Sequence, residues 1–208
     1  MKKAFYFLLI ISILSSCNQT KNNVNEAETI EEHISFMSVP LDGSATEFIK
    51  NIRENSTNSK GCFSDNLEFQ VDSVNLEKET FFCSWHDKES MNEFLWMDFE
   101  VWWTDITNRV GYIVGKSLMS WNLLRIFKTC LYESLGETTY LGAKISDKEK
   151  ENWDIVEHKL FDSMSKNFCA WKLPNGYVVI DHEDPNKTDG RVLVIMYVVD
   201  NKNYCEYL

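Results

Sequence analysis

The segment Arg191-Val-Leu-Val-Ile-Met-Tyr-Val-Val199 constrains the fold more than any other stretch of the chain. It is apolar on both faces of an extended backbone, whereas a strand with one wet face alternates apolar and polar residues. Such a strand belongs in the middle of a sheet, with a helix layer on one side and other cover on the opposite side. The rest of the chain must supply neighbouring strands and covering layers.

Strand patterns are present before and after a helical middle. Leu67, Phe69 and Val71 alternate with Glu68, Gln70 and Asp72, and Phe81, Cys83 and Trp85 alternate again. Leu95, Met97, Phe99, Val101 and Trp103 share one face of a long strand, with Asp98, Glu100 and Thr104 on the other. Val110–Val114 returns beside it after Thr107-Asn108. Near the C-terminus, Phe168–Leu173 and Tyr177–His182 flank Pro174-Asn175-Gly176, and Asn-Gly between two apolar runs is a strong hairpin cue.

Helical spacing occurs in three places. After an extended lead over Ile34–Leu41 and a turn at Asp42-Gly43, Ser44 and Glu47 have capping-box spacing. Ala45, Phe48, Ile49 and Ile52 then predict a helix over 45–54. Leu124, Phe127, Leu131 and Leu135 predict a second helix over Ser117–Leu135, stopped by Gly136. Ser146 with Glu149 opens a third, striped by Trp153, Val156, Leu160 and Met164. These patterns predict an α+β fold: an antiparallel β-sheet meander with amphipathic helices packed on one face, in a single domain over residues 33–208.

The N-terminus is an address. Lys2 and Lys3 precede the apolar run Ala4–Leu14, which falls short of the roughly 20 residues a spanning helix needs. Leu14-Ser15-Ser16-Cys17 then resembles the lipobox of bacterial lipoproteins. That resemblance implies cleavage before Cys17 and lipidation of its thiol and amine with palmitate-class acyl chains. Residues 1–16 are then a signal peptide and residues 17–32 an acylated cysteine with a polar, flexible tether. The expected location is the cell envelope. Because Asn18 and the absence of an acidic cluster after Cys17 give no sign of surface display, the expected site is the outer membrane facing the periplasm.

Two further segments, FMSVPLDGSATEFIKNI and SWNLLRIFKTCLYESLGE, together with the terminal VLVIMYVVDNKN, resemble small α+β lipoproteins and exported proteins of gut Gram-negative bacteria. The resemblance implies helices on an antiparallel sheet and brings no activity or functional residues.

Charge narrows the partners. The chain has 21 basic and 32 acidic residues, and removal of residues 1–16 leaves 19 basic residues against 32, a net of −13. Nucleic-acid binding rests on neutralising phosphates with Lys and Arg, so no nucleic-acid partner is expected. With Cys17 reserved for lipid, Cys62, Cys83, Cys130, Cys169 and Cys205 remain, an odd number. Cys62 with Cys83 and Cys169 with Cys205 are candidate bridges. Cys130 falls on a helix stripe and reads as a buried small hydrophobe.

Several constellations hold residue types suited to chemistry. Asp154, His158 and Asp162 are spaced four apart on a helix face and offer metal-ligand types, but without ligands from other elements a solvated face accounts for them. His182, Glu183, Asp184, Asn186 and Asp189 crowd one loop without calcium-loop spacing. Ser163-Met-Ser-Lys166 lacks the companion segments of a serine-lysine hydrolase. Cys83 with His86, and Cys169 with His182, have no nucleophile signature around them. No cofactor is expected.

Of the seven tryptophans, Trp85, Trp103, Trp121, Trp153 and Trp171 read as core. Trp96 and Trp102 fall on the alternate face of the long strand beside Asp98 and Glu100. If that face is open, they form an aromatic platform for a glycan or a protein partner, and if a second layer covers it they are core. The expected function is thus a lipid-anchored, non-enzymatic binding or assembly module. The alternative is an envelope hydrolase using His158 or His182 with neighbouring carboxylates.

Overall fold

A computed structural model describes residues 33–55, 67–87, 94–104, 107–183 and 190–205 of the 208-residue chain. A small hairpin, β1 (Ser35–Phe36) and β2 (Val39–Pro40), leads into helix α1 (Ala45–Asn55). Strands β3 (Leu67–Asn75), β4 (Thr80–Asp87), β5 (Phe94–Trp103) and β6 (Val110–Ser120) follow, then helix α2 (Trp121–Leu135). A two-residue strand β7 (Tyr140–Leu141), a 3₁₀ turn and the short helices α3 (Asp147–Lys150) and α4 (Ile155–Phe161) come next. The chain finishes with β8 (Cys169–Leu173), β9 (Gly176–Glu183), β10 (Arg191–Asp200) and α5 (Asn201–Cys205).

Eight strands form one antiparallel sheet in the order β3-β4-β5-β6-β10-β9-β8-β7. The fold is α+β. Two meanders, β3 to β6 and β7 to β10, meet where β10 pairs with β6 from Arg191↔Ser120 to Val199↔Tyr112. The doubly apolar segment is therefore interior to the sheet, as its composition required.

Its two faces enter two different cores. Val192, Val194, Met196 and Val198 join Phe99, Ile113, Val178, Ile180 and Trp171 under α1 and α2, which contribute Phe48, Ile49, Ile52, Leu124, Phe127 and Leu131. Gly115 is what lets Phe99 lie flat across this face, because a Cβ there would come within 2.5 Å of Met97 and 2.6 Å of Phe99. On the other face, Tyr177, Val179 and Val199 pack with Trp153, Val156, Leu160 and Phe161 beneath α4, and with Tyr204 of α5. Each fully buried side chain of this size stabilises the fold by about 1.5–3 kcal/mol.

The expectation that helices pack on one face holds for α1 and α2 and fails for α4. Val199 and Tyr177 present an apolar surface on the second face, and the stripe of α4 is what buries it. Three local expectations also change. Residues 117–120 are strand, because they pair with β10 as far as Arg191 and alternate buried and exposed; Ser120 then caps α2 by accepting from the Leu123 amide. The third predicted helix is two, because Asp154 builds a second capping box with Glu157 and restarts the chain as α4. The β8–β9 turn centres on Pro174-Asn175, with Leu173 paired to Gly176. Gly176 opens β9, and a Cβ on it would lie 2.0 Å from the Val199 carbonyl oxygen.

The first and last described segments are pinned together. Asp200, fully buried, accepts from the Ile34 and Asn203 amides, and His33 Nδ1 lies 3.2 Å from it. Asn203 donates to the carbonyls of Leu41 and Val110. Burial pushes the Asp200 carboxyl above its ordinary value against the pull of these donors.

Candidate binding face on the open half of the sheet

The second face of the sheet is covered only in part. Helix α4 lies over the β8–β9–β10 side, while on the side built from β4, β5 and β6 the cover among the described residues is α5 at one end of β6, where Tyr204 meets the Tyr112 ring edge-on. The register places Phe82, Trp96, Asp98, Lys116, Leu118 and Arg191 on this open side. Leu118 is 51% exposed, Trp96 55% and Trp102 45%, values far from those of the core tryptophans. Trp85 and Trp171 are fully buried.

Trp96 and Trp102 occupy the same side but opposite ends of β5. Six residues at about 3.3 Å each separate them by about 20 Å, so they are two contact points and not one clamp. At the Trp96 end, Phe82, Asp98, Lys116, Leu118 and Arg191 surround the indole in an open cleft of about 500 Å³. At the other end Trp102 stacks on Tyr112, with ring centroids 5.7 Å apart and planes within 5°. Between them Lys116 bonds Glu100 at 3.1 Å, leaving a charged bridge in an aromatic strip. Trp103 turns to the other side and donates its indole N–H to Glu79 at 2.6 Å. Trp121, expected in the core, is 48% exposed: as the first residue of α2 it lies at the rim and meets the His182 ring edge-on.

The remaining candidates separate. Asp154 is committed to the N-cap of α4 and also lies 3.6 Å from the Lys172 ammonium; His158 approaches Asp162 at 3.9 Å. Among the described residues no three His, Cys, Asp or Glu side chains converge as a metal site. Ser163 donates to the Leu160 carbonyl, and Ser165 to Asp181. Of Cys83 and His86, the side chain of His86 lies outside the described residues, and Cys83 is buried. Cys169 and His182 do share a face, with Lys128 3.5 Å from His182 Nδ1. Burial there raises the Cys169 thiol pKa and, with the Lys128 charge, lowers that of His182, so the sulfur stays a protonated, buried thiol. His158, over the second face, and His182, under α2, do not converge.

Cys83 and Cys169 are buried free thiols, and Cys130 is buried on α2. Cys17, Cys62 and the residues Asp184, Asn186 and Asp189 lie outside the described residues, as does the side chain of Cys205.

One polar centre has no single-residue sequence signal. Glu157, 2% exposed, accepts at one oxygen from Tyr140 (2.6 Å), Tyr177 (2.8 Å) and Lys172 (2.8 Å), and at the other from the Asp154 amide (2.9 Å). Burial alone would raise its pKa, but Lys172, the two hydroxyls and the amide outweigh it and hold the carboxyl at about 2. The same contact, with burial, pushes Tyr140 up to about 12. Both oxygens accept from the protein, so the cluster locks α4 onto β8 and β9. Only its capping-box spacing, Asp154 to Glu157, was visible in the sequence.

Compared with known proteins, the chain matches no family model, no curated protein and no solved structure.

Proposed function

We propose that the protein is a lipid-anchored, non-enzymatic binding or assembly module of the cell envelope, holding a protein or glycan partner on the open half of its sheet. The observation that carries this reading is the exposure of Trp96, Trp102 and Leu118 on a side whose other half is sealed by α4. Exposed large apolar side chains, Trp96 with Leu118 at one end and Trp102 at the other, are the kind of contact points a partner covers, and tryptophan contributes more than most residues to such contacts. The anchor is assigned to Cys17 by the Leu14-Ser15-Ser16-Cys17 pattern and the short apolar run before it. No helix among the described residues is long and apolar enough to cross a membrane.

The test is crosslinking and recovery from intact envelopes, comparing the native chain with Trp96→Ala and Trp102→Ala. The reading expects these variants to keep their melting temperature and lose a partner that the native chain holds. Retention of every partner by the double variant would remove the open face from consideration. Mass spectrometry of membrane fractions checks the anchor separately, and an unmodified Cys17 there ends the lipoprotein assignment.

A further inference from the structure

A second cleft, away from the open face, carries a distinct set of unmet interactions. It lies between the 3₁₀ turn and α3 on one side and the segment after α4 on the other, and encloses about 390 Å³. That is within the usual size of small-molecule sites. Phe161, Phe168 and Met164 give it an apolar wall, and Lys150 and Lys166 stand at its margin.

Three donors in this wall lack a protein acceptor. The Trp153 indole is held edge-on to Tyr140, His158 and Phe161, and its buried N–H meets no acceptor in the structure. A buried donor left unsatisfied is costly, and such a group points to something that completes it. Among the described residues, neither Lys150 nor Lys166 has a carboxylate within ion-pair distance, although the chain is acidic overall. Lys150 instead sits over the Trp153 ring, 6.0 Å from its centroid. An indole N–H and two ammonium groups bordering an apolar wall complement an anion with an apolar body. Asp147, in the first turn of α3, and Asp162, beside His158, also line the cleft.

We propose that this cleft binds a small organic carboxylate, its apolar body on Phe161, Phe168 and Met164 and its carboxylate accepting from Trp153 and the two lysines. No covalent step is involved. The site is independent of the open sheet face, so its failure leaves the proposed function intact.

The probe is benzoate, titrated into the full chain in neutral detergent while the indole N–H resonances are followed by ¹H–¹⁵N NMR. Trp153→Phe identifies the Trp153 resonance by its disappearance. The expected result is a saturable downfield shift of that resonance with benzoate and none with benzylamine, which has the same ring and the opposite charge. Lys150→Gln with Lys166→Gln, both at exposed positions, should weaken benzoate by at least about tenfold, the equivalent of one charge-assisted hydrogen bond. The proposal is overturned by an unchanged Trp153 resonance up to the solubility limit, by equal response to benzylamine, or by unaltered affinity in the lysine double variant. Should Trp153→Phe not fold, the lysine variant decides alone.

Discussion

Replacement of Glu157 by Gln tests whether a buried carboxylate, and not apolar packing alone, holds α4 on the sheet. The side chain accepts four hydrogen bonds, three at one oxygen and one at the other, and is almost wholly enclosed. Gln offers one acceptor atom and one donor. Whichever way its amide turns, its NH₂ faces either the Asp154 N–H or the group of Tyr140, Tyr177 and Lys172, and the ammonium loses its counter-charge. The magnitude follows from the titration: a carboxyl with an ordinary value of 4.5 held at about 2 in the fold contributes about 3 kcal/mol at neutral pH. Because the folded value is depressed, this contribution is complete above the unfolded pKa and is lost as pH falls through the folded one, from about pH 5 down to about pH 2. Urea unfolding of the native chain and Glu157→Gln across that range should show a difference of about 3 kcal/mol at pH 7 that closes as the solution is acidified. Other carboxyls titrate too, but those remote from Glu157 cancel in the difference. A variant within about 0.5 kcal/mol of the native chain at pH 7, or a gap independent of pH, would refute the argument.

Three further outcomes are expected. Gly176→Ala places a methyl on the Val199 carbonyl, a backbone atom that cannot rotate away, and should destabilise by more than about 3 kcal/mol; Gly115→Ala meets the Met97 and Phe99 side chains, which can shift, and should cost less, about 1–3 kcal/mol, both read by denaturant unfolding. Ser120→Ala removes the acceptor for the Leu123 amide and should lower stability by about 1 kcal/mol without altering the sheet, as seen by near- and far-UV circular dichroism. Burial pushes the Cys83 and Cys169 thiols up, so a thiol reagent at neutral pH should modify them only after denaturant is added; rapid labelling of either in the native chain would show that the core around it is open.

Much of the architecture was legible because its causes are local. The helix over 45–54 matches α1 closely, since Phe48, Ile49 and Ile52 recur at the helical period behind a serine cap. Gly136 ends α2 at φ +80°, a conformation that glycine adopts without strain. The errors came where distant pairing overrode local pattern. Residues 117–120 follow the helical stripe as easily as an alternating one, and only their pairing with β10, from Val194↔Ser117 to Arg191↔Ser120, makes them strand. Trp121 fits the stripe of α2 but lies at its first turn, at the rim, where it meets His182 edge-on and stays 48% exposed. The Asp154, His158 and Asp162 spacing was real, yet the capping box drew Asp154 away from the other two.

The sequence by itself determined that Arg191–Val199 lies inside a sheet, that the flanking segments alternate as strands or recur as helices, and that Trp96 and Trp102 share a side. These are consequences of side-chain period and of the energetic need to bury apolar surface, both readable over a few residues. The tertiary structure alone decided that α4 crosses to the second face, that it leaves half of that face open, and that Tyr140, Lys172 and Tyr177 meet on Glu157. Strand order and layer coverage depend on contacts between residues far apart in the chain. No local period encodes which partner each surface will find.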